Sequence, residues 1–130
     1  MELTYRPRRL RRTPALRAMV REHHLEKHVL LPGFRTDVVG CIKGFDVFVM
    51  SSVTEGLGTS LLDAMACHTA IVGTTAGGIP EVVDAGRTGL LVEPRDARGL
   101  ADAILRLLQD ASLRQRFADA GYAKVRERFT

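Results

Sequence analysis

The chain has 130 residues and a mass of 14.3 kDa, with 45% hydrophobic and 26% charged residues and a net charge of +4. That length suits one domain with a substantial core, and the composition excludes wholesale disorder. No stretch of 18 uncharged apolar residues is present to form a transmembrane helix. The two cysteines, Cys41 and Cys67, lack C-x-x-C spacing, which argues against a disulfide framework or a zinc site and makes a reducing cytosol the expected compartment.

The positive charge is concentrated at the start. Residues 1–28 carry eight basic and three acidic side chains, a net +5, whereas the rest carries 11 basic and 12 acidic, a net −1. Residues 1–12 therefore read as a basic arm ahead of a domain over 13–130. The arm has two readings: a polybasic contact for an anionic membrane surface or polyanion, or a solvated lead-in. Only Tyr5 interleaves its arginines, so base stacking and specific nucleic-acid binding have little support. No apolar segment follows, so a targeting peptide is not indicated.

From Thr13 the pattern alternates between helix and strand. Thr13-Pro14 is an N-cap followed by proline at the first helical position, and an apolar stripe then predicts a helix to about His24. Val29-Leu30-Leu31 predicts a short strand stopped by Pro32-Gly33. Thr36-Asp37 caps a short helix that ends at Gly44. Residues 46–50 are a continuous apolar run, the pattern of a strand covered on both faces. A loop follows over 51–58, then a helix over 59–67, a strand over 70–73, the Ala76-Gly77-Gly78 loop and a short helix over 80–83. A turn over 86–89 leads to a strand at Leu90-Leu91-Val92. Asp96 caps a helix to about Gln109, residues 110–112 break it, and a last helix runs over 113–129. Short buried strands alternating with helices predict an α/β fold, with a parallel sheet of about four strands flanked by helices.

Ligands of open parallel sheets bind beyond the carboxyl ends of the strands. The segment 51–60 lies there. Gly56 and Gly58 allow close approach of a ligand to the backbone, and the N–H groups of Thr59 and Ser60 open a helix, an arrangement that favours an anion such as phosphate. Glu55 would repel a phosphate and suits sugar hydroxyls. Asp63 can accept hydrogen bonds from a ribose diol. It also stands at capping-box spacing from Ser60, and on spacing alone both readings are open.

The run Glu55-Gly56-Leu57-Gly58-Thr59-Ser60-Leu61-Leu62-Asp63-Ala64-Met65-Ala66 resembles the E-x7-E segment of the retaining family 4, or group 1, glycosyltransferases. Pro32-Gly33-Phe34-Arg35 and Asp46-Val47-Phe48-Val49 resemble the strand ends upstream of it. Gly77-Gly78-Ile79-Pro80-Glu81-Val82-Val83 resembles the GG-x-PE loop, and Gly86-Arg87-Thr88-Gly89-Leu90-Leu91-Val92 the G-x-TG-LLV strand. The resemblance implies a partial Rossmann-like C-terminal domain of GT-B type that binds a nucleotide-sugar donor and, in the whole enzyme, transfers the sugar to an acceptor hydroxyl with retention. It implies that Glu55 contacts the donor sugar, Asp63 the ribose and the backbone of Gly56, Leu57, Gly58, Thr59 and Ser60 the diphosphate and sugar, with Arg35 stacking on the base. Gly77, Gly78 and Glu81 are further candidates at the next strand end. The donor is the substrate, and neither a metal nor another cofactor is expected.

Two departures stand out. Asp63 replaces the family's second Glu and is one methylene shorter. The resemblance also implies that the N-terminal acceptor domain and the first two strands of the C-terminal domain lie outside this sequence. On that view Val29–Leu31 either pairs directly with Val47–Met50 or is left without its usual neighbour. An open strand edge would favour a homodimer unless Leu3-Thr4-Tyr5 fills the place. The competing reading is a non-catalytic module that associates through that edge or binds polyanions through the arm. His23, His24, His28 and His68 lack metal-ligand spacing. His23-His24 and His68 read as helix-end residues.

Overall fold

The computed structural model describes residues 3–4, 13–31, 37–52 and 59–129. The backbone divides into two compact units, residues 1–38 and 39–130.

In the first unit, β1 (Leu3–Thr4), α1 (Thr13–Glu22) and β2 (Val29–Leu30) follow one another. β1 and β2 pair in parallel, Leu3 opposite Val29 and Thr4 opposite Leu30. Leu3-Thr4 thus supplies β2 with a neighbour, and Tyr5 lies outside the described residues. α1 ends through a left-handed residue. His24 has φ 55°, its N–H donates to the Arg21 carbonyl at 3.1 Å, and the Leu25 N–H donates to the Val20 carbonyl at 2.9 Å. This is the hydrogen-bond pattern of a Schellman motif, with histidine where glycine is usual.

The second unit contains α2 (Val38–Lys43) from its second residue, β3 (Val47–Met50), α3 (Thr59–Ala66), β4 (Ala70–Thr74), α4 (Ile79–Val82), β5 (Gly89–Val92), α5 (Ala97–Gln109) and α6 (Ala111–Phe129). Its sheet is parallel throughout, in the order β3-β4-β5. The α/β fold with a short parallel sheet flanked by helices is therefore as expected, with the strands divided two and three. Every residue of the central strand β4 is buried, whereas all four residues of β3 are half-buried. The apolar run of β3 suggested cover on both faces; its position at the edge of this sheet leaves it less covered than β4.

Alternation along β4 sorts the core. Ala70 and Val72 cluster with Ala103, Leu107, Leu113 and Phe117 of α5 and α6, and Val47, Val49, Leu90 and Val92 pack against that cluster. The opposite side carries Gly73, where an added Cβ would stand 3.1 Å from the Ile79 side chain. Ile79 and Leu107 are fully buried, each contributing about 1.5–3 kcal/mol by leaving water.

Asp110 is a single-residue break. It is the C-cap of α5, and its carboxylate accepts the Leu113 N–H at 2.9 Å, so it also caps α6. Arg114 donates to the Leu107 and Leu108 carbonyls at 2.8 and 3.2 Å, satisfying the exposed end of α5. The predicted break over 110–112 is narrower because this one carboxylate serves the second helix directly. Asp96 caps α5 as expected, accepting from the Gly99 N–H at 2.9 Å.

Candidate functional site

In a parallel sheet all carboxyl ends lie along one edge. Here that edge receives Ser51-Ser52 after β3, Thr75 to Gly78 after β4 and Glu93 after β5. Helix α3 opens at Thr59 as the chain returns from β3, so its first N–H groups belong to the same edge. Glu55, Gly56, Leu57, Gly58 and Arg35 lie outside the described residues.

Because α3 begins at Thr59, Ser60 is the second helical residue and not an N-cap. The capping-box geometry, which needs Ser60 ahead of the helix, is therefore not the arrangement found. Asp63 lies one turn further along, on the same helix face, and is exposed, while Ser60 is half-buried. The Asp63 backbone carbonyl is used within the helix end, accepting the Cys67 N–H at 3.0 Å. That end closes like α1. His68 has φ 55°, its N–H meets the Met65 carbonyl at 3.2 Å, and the Thr69 N–H meets the Ala64 carbonyl at 3.0 Å. The His68 ring stacks on Tyr122 at 3.8 Å. A histidine used in this way serves the helix end.

The turn after β4 explains the paired glycines. Gly77 has φ 48°, a left-handed conformation that costs an L side chain energy, and Gly78 is the N-cap of α4. Glu81 is exposed in the first turn of α4 and borders a shallow groove formed with Leu62, Met65, Val82, Lys124 and Arg128. Lys124 reaches across from α6 to the end of α4, donating to the Val82 carbonyl at 2.7 Å and to the Asp84 carboxylate at 3.1 Å. The structure thus brings Gly77, Gly78 and Glu81 together at one helix start, and Ser60 and Asp63 together on another.

Two threonines at the end of β4 were not singled out from the sequence. The Thr74 hydroxyl donates to the Ser52 carbonyl at 2.7 Å and accepts the Ala76 N–H at 3.3 Å. The Thr75 hydroxyl donates to the Glu93 carboxylate at 3.2 Å, and its N–H donates to the Val92 carbonyl at 3.0 Å. The available signal was a Thr-Thr pair directly after an apolar strand, where hydroxyls can link neighbouring strand ends. Among the described residues no three His, Cys, Asp or Glu side chains are placed to hold a metal ion. No described helix is long and apolar enough to cross a membrane.

Residues 7–110 match the family described as glycosyl transferases group 1. The chain belongs to that family. Among curated relatives, this group 1 chain is 37% identical over 111 residues to N-acetyl-alpha-D-glucosaminyl L-malate synthase of Bacillus anthracis, a match covering 85% of this chain and 29% of the relative. The chain thus spans less than a third of the length of that relative. Among solved structures, it superposes on the C-terminal domain of a group 1 family protein from Francisella tularensis with a TM-score of 0.86 and 32% identity, covering 95% of this chain and 65% of that one. It superposes on Anabaena HepE in complex with UDP with a TM-score of 0.90 and 26% identity, covering 98% of this chain and 36% of that one. The group 1 chain therefore has the fold of the C-terminal, Rossmann-like part of a GT-B glycosyltransferase.

Proposed function

We propose that this chain is the donor-binding part of a glycosyltransferase that moves a sugar from a nucleoside diphosphate to an acceptor hydroxyl with retention. The observation that carries the reading is the start of α3 at Thr59-Ser60, on the carboxyl edge of a parallel sheet, in a chain of this family. The N–H groups from Gly56 to Ser60 hold the diphosphate. As the glycosidic bond breaks, the helix start stabilises the charge that grows on the leaving group. Asp63 accepts from the ribose hydroxyls, Glu55 from the donor sugar, and Arg35 stacks on the base. Gly77, Gly78 and Glu81 border the site from the next strand end. In this reading residues 1–12 are an arm, residues 13–130 are the partial donor domain, and a separate N-terminal domain supplies the acceptor site.

The nucleotide bound to HepE favours a uridine donor by analogy. Nucleotide sugars place the protein in the cytosol, and the arginines of the arm favour an anionic membrane surface. Two copies associating through an open strand edge is a second partner reading, weakened by the pairing of Leu3-Thr4 with β2. Sedimentation as a monomer at high concentration overturns that association. For the donor, the test is an NMR titration of the full chain with UDP-, GDP- and ADP-sugars. Shifts at Gly56, Gly58, Thr59 and Ser60 are expected. Silence there with every donor overturns the reading.

A further inference from the structure

We infer that Thr74 is a positioning residue for the donor site, fixing the point where the segment carrying Glu55 leaves the sheet. The inference rests on the donor-binding reading for its functional part and on the hydrogen bonds of Thr74 for its structural part.

Strands β3 and β4 pair in register as far as Met50 opposite Gly73. Beyond that pair the ladder stops, and Ser51-Ser52 lead out of the strand. Thr74 stands at this point. Its side chain is buried, only 2% exposed, and its hydroxyl donates to the Ser52 carbonyl at 2.7 Å. The bond extends the β3–β4 connection past the last ladder pair, with a side chain standing in for a backbone N–H. The same oxygen accepts the Ala76 N–H at 3.3 Å, at the entrance to the Gly77-Gly78 turn. One buried hydroxyl therefore holds both exits: the one leading to Glu55 and Ser60, and the one leading to Gly77 and Glu81. The bond to Ser52 is part-buried and that from Ala76 is buried, so both are worth more than an exposed bond, and removing the hydroxyl deprives the Ala76 N–H of a buried acceptor.

Thr75 supplies the internal comparison. It links β4 to the other neighbour, β5, through Glu93, and that bond is exposed. Water replaces an exposed bond at little cost. The contrast separates the tie to the β3 exit, made by Thr74, from the tie to β5, made by Thr75. Valine has threonine's shape without its hydroxyl, and serine has the hydroxyl without the methyl group, so the two replacements separate packing from hydrogen bonding.

The test uses the full chain with Thr74→Val, Thr74→Ser and Thr75→Val, UDP as the probe, and amide hydrogen exchange as a second readout. Thr74→Val is expected to weaken UDP binding about tenfold, to speed exchange at Ala76 and at residues 53–60, and to lower the melting temperature by roughly 5–15 °C. Thr74→Ser is expected to restore both readouts, and Thr75→Val to change neither. The inference is overturned if Thr74→Val exchanges at the parent rate, or if Thr74→Ser exchanges as fast as Thr74→Val. If the parent chain binds no UDP, the donor reading fails, and the exchange comparison still decides whether Thr74 holds the two exits. If UDP binds the parent and Thr74→Val equally, the site stands and the positioning role is overturned.

Discussion

Gly89 offers the sharpest test of the packing described above. A Cβ built there would stand 2.6 Å from the Ile71 carbonyl oxygen and 2.9 Å from a methyl group of Val83. Ordinary contacts of this kind begin near 3.4 Å, so something must move by several tenths of an ångström. Little is free to move. Gly89 is in register opposite Ile71 in the sheet, its carbonyl accepts the Gly86 N–H at 2.8 Å, and Ile71 is fully buried. Forcing a methyl group into such a site costs about 2–3 kcal/mol. At about 4–8 °C per kcal/mol for a unit near this size, Gly89→Ala should lower the melting temperature by roughly 10–20 °C. Gly40 is the control. It lies inside α2 with nothing within 4 Å of its added Cβ, so Gly40→Ala should stabilise by about 0.5–1 kcal/mol through better helix propensity. Thermal unfolding followed by far-UV circular dichroism measures both. If Gly89→Ala melts within a few degrees of the parent, or if both substitutions act with the same sign, the steric argument is wrong.

Leu107→Ala removes a fully buried side chain from the cluster between the sheet and α5–α6 and should cost about 2–5 kcal/mol in urea unfolding. Lys124→Met loses the bonds to Val82 and Asp84 and should cost about 1–2 kcal/mol, while Asp84→Asn should cost less than about 1 kcal/mol because that carboxylate is 42% exposed. A larger loss for Asp84→Asn than for Lys124→Met would contradict the capping role of the lysine. Asp110→Ala removes the carboxylate that caps α6 and should cost about 1 kcal/mol, visible as a lower urea midpoint. Asp63→Ala should leave stability within about 0.5 kcal/mol, because the residue is exposed, yet weaken binding of a UDP-sugar in calorimetry; Asp63→Glu should strengthen it by restoring the missing methylene. Unchanged affinity in both would remove Asp63 from the site.

The helices that were easy to read carry their signals locally. Thr13-Pro14 marks the start of α1 to within a residue, and Asp96 is found capping α5 through its own carboxylate. The β4 run was legible because a central parallel strand must be apolar on both faces. For β3 the same pattern overstated the cover: each of its residues is half-buried, because the strand lies at the edge of the described sheet. At the carboxyl edge, the glycine pair 77–78 and the helix start at Thr59 were readable from turn and cap chemistry. The roles of Thr74 and Lys124 were not, because each depends on a carbonyl 22 or 42 residues away.

The amino-acid sequence alone determined the alternation of strands and helices, the glycines that turn the chain and the ordered motifs shared with group 1 glycosyltransferases, since each is written in neighbouring residues. It also separated the +5 of the first 28 residues from a body near neutrality, so the overall basic charge says little about the site. Tertiary structure decided which strand is wholly buried, that β1 pairs with β2, and how the strand ends are tied by Thr74 and Thr75. Those outcomes depend on which distant groups meet once the sheet has formed, and side chains far apart in sequence acquire their partners only then.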